Sequence, residues 1–95
     1  MIVILVSTIK EHPKVPPLEQ MFSTATAGQN ILLALNALGY GGIWRTGKFA
    51  LNKEIGSFLG LDDNQEVLGY LYIGTPAGDN KKIPQLDPKD FVKKL

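Results

Sequence analysis

The residues best equipped for chemistry in this 95-residue chain stand together at Trp44-Arg45-Thr46-Gly47. Arg45 is the only arginine and Trp44 the only tryptophan. A guanidinium presents a planar fork of donors that fits a phosphate or the flat polar edge of a ligand. Thr46 adds a hydroxyl, and Gly47 lets a ligand approach the backbone. The group follows the short apolar stretch Tyr40 to Trp44, so it lies where a strand runs out into a loop. Functional side chains concentrate on loops that a rigid sheet positions. The same residue types also suit an arginine paired with a surface carboxylate beside a core tryptophan, and types alone do not choose between the two.

Other candidates are weaker. Gly39-Tyr40-Gly41-Gly42 has the glycine density of a dinucleotide-binding turn, but that turn needs a strand before it and a helix after it. Here the order is reversed, and the glycines serve to end a helix and enter a strand. With a single histidine, His12, and no cysteine, the chain has no histidine metal site, disulfide, thiolate ligand or cysteine nucleophile. Nor does it support a Ser–His–Asp arrangement. Nothing fixes the distance between Glu11 and Glu19, and Asp62-Asp63 suits a turn. Lys81-Lys82 is a solvated basic pair that can also hold a phosphate. No catalytic side chain and no metal ligand is therefore assigned. Ten basic and nine acidic residues leave a net charge of +1, which gives no case for nucleic acid or an anionic membrane surface.

The elements that must position Arg45 follow from pattern. Residues 2–9 are a continuous apolar, β-branched run, which predicts a strand buried on both faces. It is too short to cross a bilayer as a helix and lacks the flanks of a secretory signal, so the cytoplasm is the expected compartment. A chain that opens directly on a core strand also raises the expectation of a segment before it. Pro16 and Pro17 suit a helix entry. Apolar residues at helical spacing (Leu18, Phe22, Ala25, Leu32, Leu35) predict one long helix from Leu18 to Leu38, with a break at Gly28 as the alternative. The stretch from Ile31 to Leu38 is apolar nearly all round and predicts burial on most sides. Gly39 ends the helix, and Tyr40 to Trp44 is a strand. Asn52 caps a short helix, Lys53 to Leu59, ended by Gly60. Asp62 to Gln65 is a turn, Val67 to Ile73 a strand, Ala77 to Lys82 a polar loop, and Asp87-Pro88 starts a helical turn toward Phe91-Val92. The order β-α-β-α-β-tail predicts one α/β domain over residues 1–95, a small sheet packed by one long and one short helix. A domain this small has difficulty covering its long helix alone, which predicts a second subunit or a further segment.

Four ordered blocks resemble the nitroreductase family, in particular its compact bacterial branch. They are His12-Pro13-Lys14-Val15-Pro16, Leu38 to Gly47, Gly69 to Pro76, and Asp87-Pro88 followed by Phe91-Val92. The resemblance spans the whole chain but only the family's C-terminal half. It implies an α+β nitroreductase-like fragment and an FMN-dependent NAD(P)H oxidoreductase that passes hydride to a small acceptor such as a nitroaromatic or a quinone. It implies FMN contacts at Trp44, Arg45, Thr46 and Gly47, with Lys82 touching the phosphate. It places the nicotinamide nucleotide near Ala34, Leu35, Asn36, Ala37, Leu38 and Gly39. It further implies a homodimer, or a separately encoded N-terminal half. That half carries the family's Arg-Arg-Ser-type phosphate grip, and without it the resemblance implies FMN binding that is weak or dependent on a partner. The alternatives are a non-catalytic, self-associating α/β interaction module, or one half of a split flavoenzyme.

Overall fold

The structure is a computed structural model that describes residues 1–79 and 81–95. Asn80, inside the polar loop expected at 77–82, lies outside the described residues. Strand β1 (Ile2–Thr8) leads to helix α1 (Pro17–Ala37) and strand β2 (Gly41–Arg45). A 3-10 turn at Gly47–Phe49 and helix α2 (Lys53–Phe58) follow, then strand β3 (Gln65–Gly74) and a 3-10 turn at Pro88–Asp90. This is the expected order of elements. The sheet is three-stranded and antiparallel, in the order β1-β3-β2.

Helix α1 runs unbroken through Gly28. Its bare Cα is a contact point: a Cβ there would sit 2.7 Å from both Leu5 Cδ1 and Trp44 Cζ3. The centre of the sheet repeats the device. A Cβ on Gly69, opposite Leu5 on β3, would run into Trp44 Nε1. A glycine inside a strand commonly marks such a close approach. The indole thus fills the space between α1 and the sheet, beside the fully buried Leu71. Ser7 is buried on the same side, its hydroxyl 3.4 Å from the Gln20 carbonyl.

Two expectations change. β1 is fully covered on one face only: Leu5 and Ser7 are buried against α1, while on the other face Val6 is half-buried and Ile2 and Ile4, 60% and 37% exposed, line a recess with Ile55 and Phe58 of α2. The second half of α1 is not enclosed, since Leu33 is 60% exposed and Leu38 72%. The physical reason is shared. One 21-residue helix and one 6-residue helix cannot cover both faces of the sheet and also each other. The tail closes nothing further. Its turn ends at Asp90, short of Phe91-Val92, and every described residue beyond Gly74 is exposed.

Candidate functional site

Arg45 ends β2, and strand alternation fixes where it looks. Gly42 and Trp44 face α1, because a Cβ at Gly42 would meet Leu32 and Leu35, and Trp44 packs on Gly28. Ile43 and Arg45 therefore face the other side. There the register sets Arg45 opposite Tyr70 and Ile43 opposite Tyr72. Beyond Arg45 the chain turns through Gly47, whose φ of +54° is a left-handed conformation that L side chains rarely adopt. A Cβ at Gly47 would touch nothing, so backbone conformation, not crowding, demands glycine there. The turn carries Lys48 back over the Phe49 ring, with Nζ 5.4 Å from its centroid. Tyr70 Oη fixes the turn by donating a 3.0 Å hydrogen bond to the Phe49 carbonyl.

These residues surround an open recess of about 410 Å³, lined by Trp44, Arg45, Thr46, Gly47, Lys48, Phe49, Tyr70 and Tyr72. It combines two cationic side chains, a hydroxyl, exposed backbone and aromatic walls. Chemically it suits a planar ligand bearing an anionic group. Trp44 contributes least through its indole, which is committed to the core.

The remaining expected residues lie elsewhere. Ala34 to Gly39 form the end of α1 and its exit turn, where Leu35 packs toward Gly42 and its carbonyl accepts from Tyr40 N at 2.9 Å. That is the α1 face of the sheet, opposite to Arg45. Lys82 sits on the exposed tail and lines a separate recess with Ile83, Pro84 and Gln85. One chain by itself brings together Trp44 to Gly47, and does not join them to the 34–39 segment or to Lys82. Lys48, Tyr70 and Tyr72 were not read as site residues from sequence. The available signal was the alternation in Tyr70-Leu71-Tyr72, which puts both rings on one face once β3 is known to pair with β2. His12 is structural: its Nδ1 accepts from Lys14 N at 3.1 Å and Val15 N at 3.0 Å. No helix among the described residues is long and apolar enough to cross a membrane.

Comparison with known proteins agrees with this architecture. Residues 1–75 match the model of the nitroreductase family. A protein of Escherichia coli (strain K12) with the provisional name NAD(P)H nitroreductase YdjA is 34% identical over 97% of this chain and 51% of its own length. A similarly named protein of Haemophilus influenzae is 31% identical over 83% of this chain and 44% of its own. The chain thus spans about half the length of the curated relatives it matches. Among solved structures, a nitroreductase-like family protein from Bacillus cereus superposes with a TM-score of 0.80 at 18% identity, covering 99% of this chain and 50% of that one. NfrA1 of B. megaterium superposes with a TM-score of 0.70 at 28% identity, covering 81% and 31%. By family model, identity and fold, the chain belongs to the nitroreductase family.

Proposed function

We propose that this chain supplies one wall of an FMN site in an NAD(P)H-dependent oxidoreductase of the nitroreductase type. The observation that carries this reading is the recess at the end of β2. Arg45 and Lys48 offer charge-assisted donors for a phosphate or a reduced ring. Tyr70 and Tyr72 offer flat walls, and the Thr46–Gly47 backbone is bare enough for close approach. Bound FMN would supply the hydride chemistry, while the chain holds and orients it. No side chain is needed as a general base.

The Ala34–Gly39 segment, implied for the nicotinamide nucleotide, closes the opposite face of the sheet. In this reading a complete site takes a second chain: another copy, or a chain carrying the other half of the family's length. The open apolar face at Ile2, Ile4, Ile43 and Tyr72 favours the same conclusion. The acceptor is a small molecule such as a nitroaromatic or quinone.

The test is flavin fluorescence. Titrating FMN with the chain is expected to quench emission at high micromolar protein, with several-fold weaker quenching for Arg45→Ala. Emission indifferent to the wild-type chain overturns independent FMN binding. Quenching that Arg45→Ala leaves intact moves the ligand out of this recess.

A further inference from the structure

The turn that carries Thr46, Gly47 and Lys48 leaves the sheet between two fixed points on β3. At one end Arg45 pairs with Tyr70, and at the other Leu51 N donates to the Val67 carbonyl at 2.8 Å. β3 is the middle strand and buries Val67 and Leu71, so both points are firm. Rejoining β3 at Leu51 strains the backbone. Leu51 takes φ +54°, a left-handed conformation that a Cβ resists. Its side chain is 62% exposed, so its own packing does not hold it there. Such backbone persists only where its surroundings over-determine it.

Two side chains bond to the backbone of residues 46–50. Asn52 Nδ2 donates to the Lys48 carbonyl at 3.4 Å, and Tyr70 Oη donates to the Phe49 carbonyl at 3.0 Å. The asparagine contact is the longer, and the Asn52 Oδ1 is occupied in capping α2. The tyrosine bond is the shorter, and it ties the turn directly to the middle strand. The Phe49 carbonyl and the Ala50 N–H belong to one planar peptide unit. Holding the carbonyl therefore also aims Ala50 N at the Thr46 carbonyl, 3.3 Å away, and that bond closes the turn. Lys48 follows, because its Nζ lies over the Phe49 ring. The Tyr70 ring is a wall of the recess, and its hydroxyl has this separate task.

We propose that Tyr70 is a positioning residue whose hydroxyl holds the 46–50 turn ready for flavin against the backbone strain at Leu51. The proposal rests on the reading of this recess as a flavin wall, and it assigns the pre-organisation of that wall to one oxygen atom. A loop already in its bound form binds more tightly, because less freedom is lost on binding. In Tyr70→Phe the ring stays and water can take the Phe49 carbonyl, so what is lost is a fixed direction.

The test compares wild type, Tyr70→Phe, Arg45→Ala and the double variant Tyr70→Phe/Leu51→Asn by FMN fluorescence titration and by amide exchange at Ala50. Tyr70→Phe is expected to keep its circular dichroism, weaken FMN quenching several-fold and speed exchange at Ala50 several-fold. Asparagine tolerates the left-handed conformation better than leucine, so the double variant is expected to recover most of both losses. A tyrosine that acts only as a wall predicts no such rescue. If Tyr70→Phe quenches and exchanges like wild type while Arg45→Ala weakens quenching, the positioning role is overturned and the flavin reading stands. A double variant no better than Tyr70→Phe also overturns the proposal, since strain at Leu51 is then not what the hydroxyl opposes. Wild-type chain that leaves FMN emission unchanged overturns the flavin reading and the role together, a pattern distinct from the other two.

Discussion

Gly28 shows how closely one atom is balanced in this chain. A glycine in the middle of a helix costs about 1 kcal/mol relative to alanine. Filling a packed contact costs typically 1–3 kcal/mol. A Cβ at Gly28 would lie 2.7 Å from both Leu5 and Trp44, two core side chains with little room to retreat, so the packing cost wins. Gly28→Ala is expected to lower the urea midpoint, with a net loss of up to about 2 kcal/mol of stability once the propensity gain is set against the packing cost; a higher midpoint would mean that helix propensity dominates. Leu51 shows the opposite balance. It is the only non-glycine with positive φ among the described residues, at +54°, and its side chain is 62% exposed. The left-handed conformation costs a leucine roughly 1–2 kcal/mol, and asparagine tolerates it better. Leu51→Asn is expected to raise the thermal midpoint, and a fall would show that the side chain contributes packing its exposure conceals. At this scale Arg45 was legible as the one arginine after an apolar strand. Its neighbours Lys48 and Tyr72 were not, because their proximity depends on a turn and on a strand pairing.

At the scale of elements, local signals were legible and coverage was not. Asn52 caps α2 as its type suggests, its Oδ1 accepting from Glu54 N at 2.9 Å and Ile55 N at 3.4 Å. Removing such a cap costs about 0.5–2 kcal/mol. Asn52→Ala is expected to destabilise the chain within that range and to speed amide exchange over residues 53–58. Unchanged exchange there would show that α2 is held by its packing on β3 instead. Proline at the entry and Gly39 beyond the exit bounded α1 to within a residue or two. Those signals are local, fixed by backbone sterics and hydrogen bonding. The apolar run of β1 announced burial on both faces, yet only the α1 side is fully covered here, and α2 covers the other in part. Hydrophobicity records what a face needs, and cannot say which chain provides it.

The whole molecule is extended for its length. Its radius of gyration is 16.5 Å, against about 12 Å for a compact chain of this size. Much of the excess is the tail, whose hydrophobic residues Ile83, Leu86, Phe91 and Val92 are all exposed. Pro76 still touches the sheet, lying 3.4 Å from where a Cβ would stand on Gly41. Deleting residues 77–95 is therefore expected to leave the urea midpoint nearly unchanged and to lower the radius of gyration measured by X-ray scattering. A large loss of stability would reveal contacts that the isolated chain does not make. The open face and the split between Arg45 and the 34–39 segment both belong to this scale.

The sequence by itself determined the order of elements, the caps and breaks of both helices, the α/β class, and the family through four ordered blocks. These depend on neighbours along the chain, which a sequence states directly. Only the tertiary structure decided that β3 runs between β1 and β2, that Trp44 turns inward over Gly28 and Gly69, and that Arg45 shares its face with Tyr70 and Tyr72. Those facts depend on strand register, where a slip of one residue exchanges the two faces of a sheet.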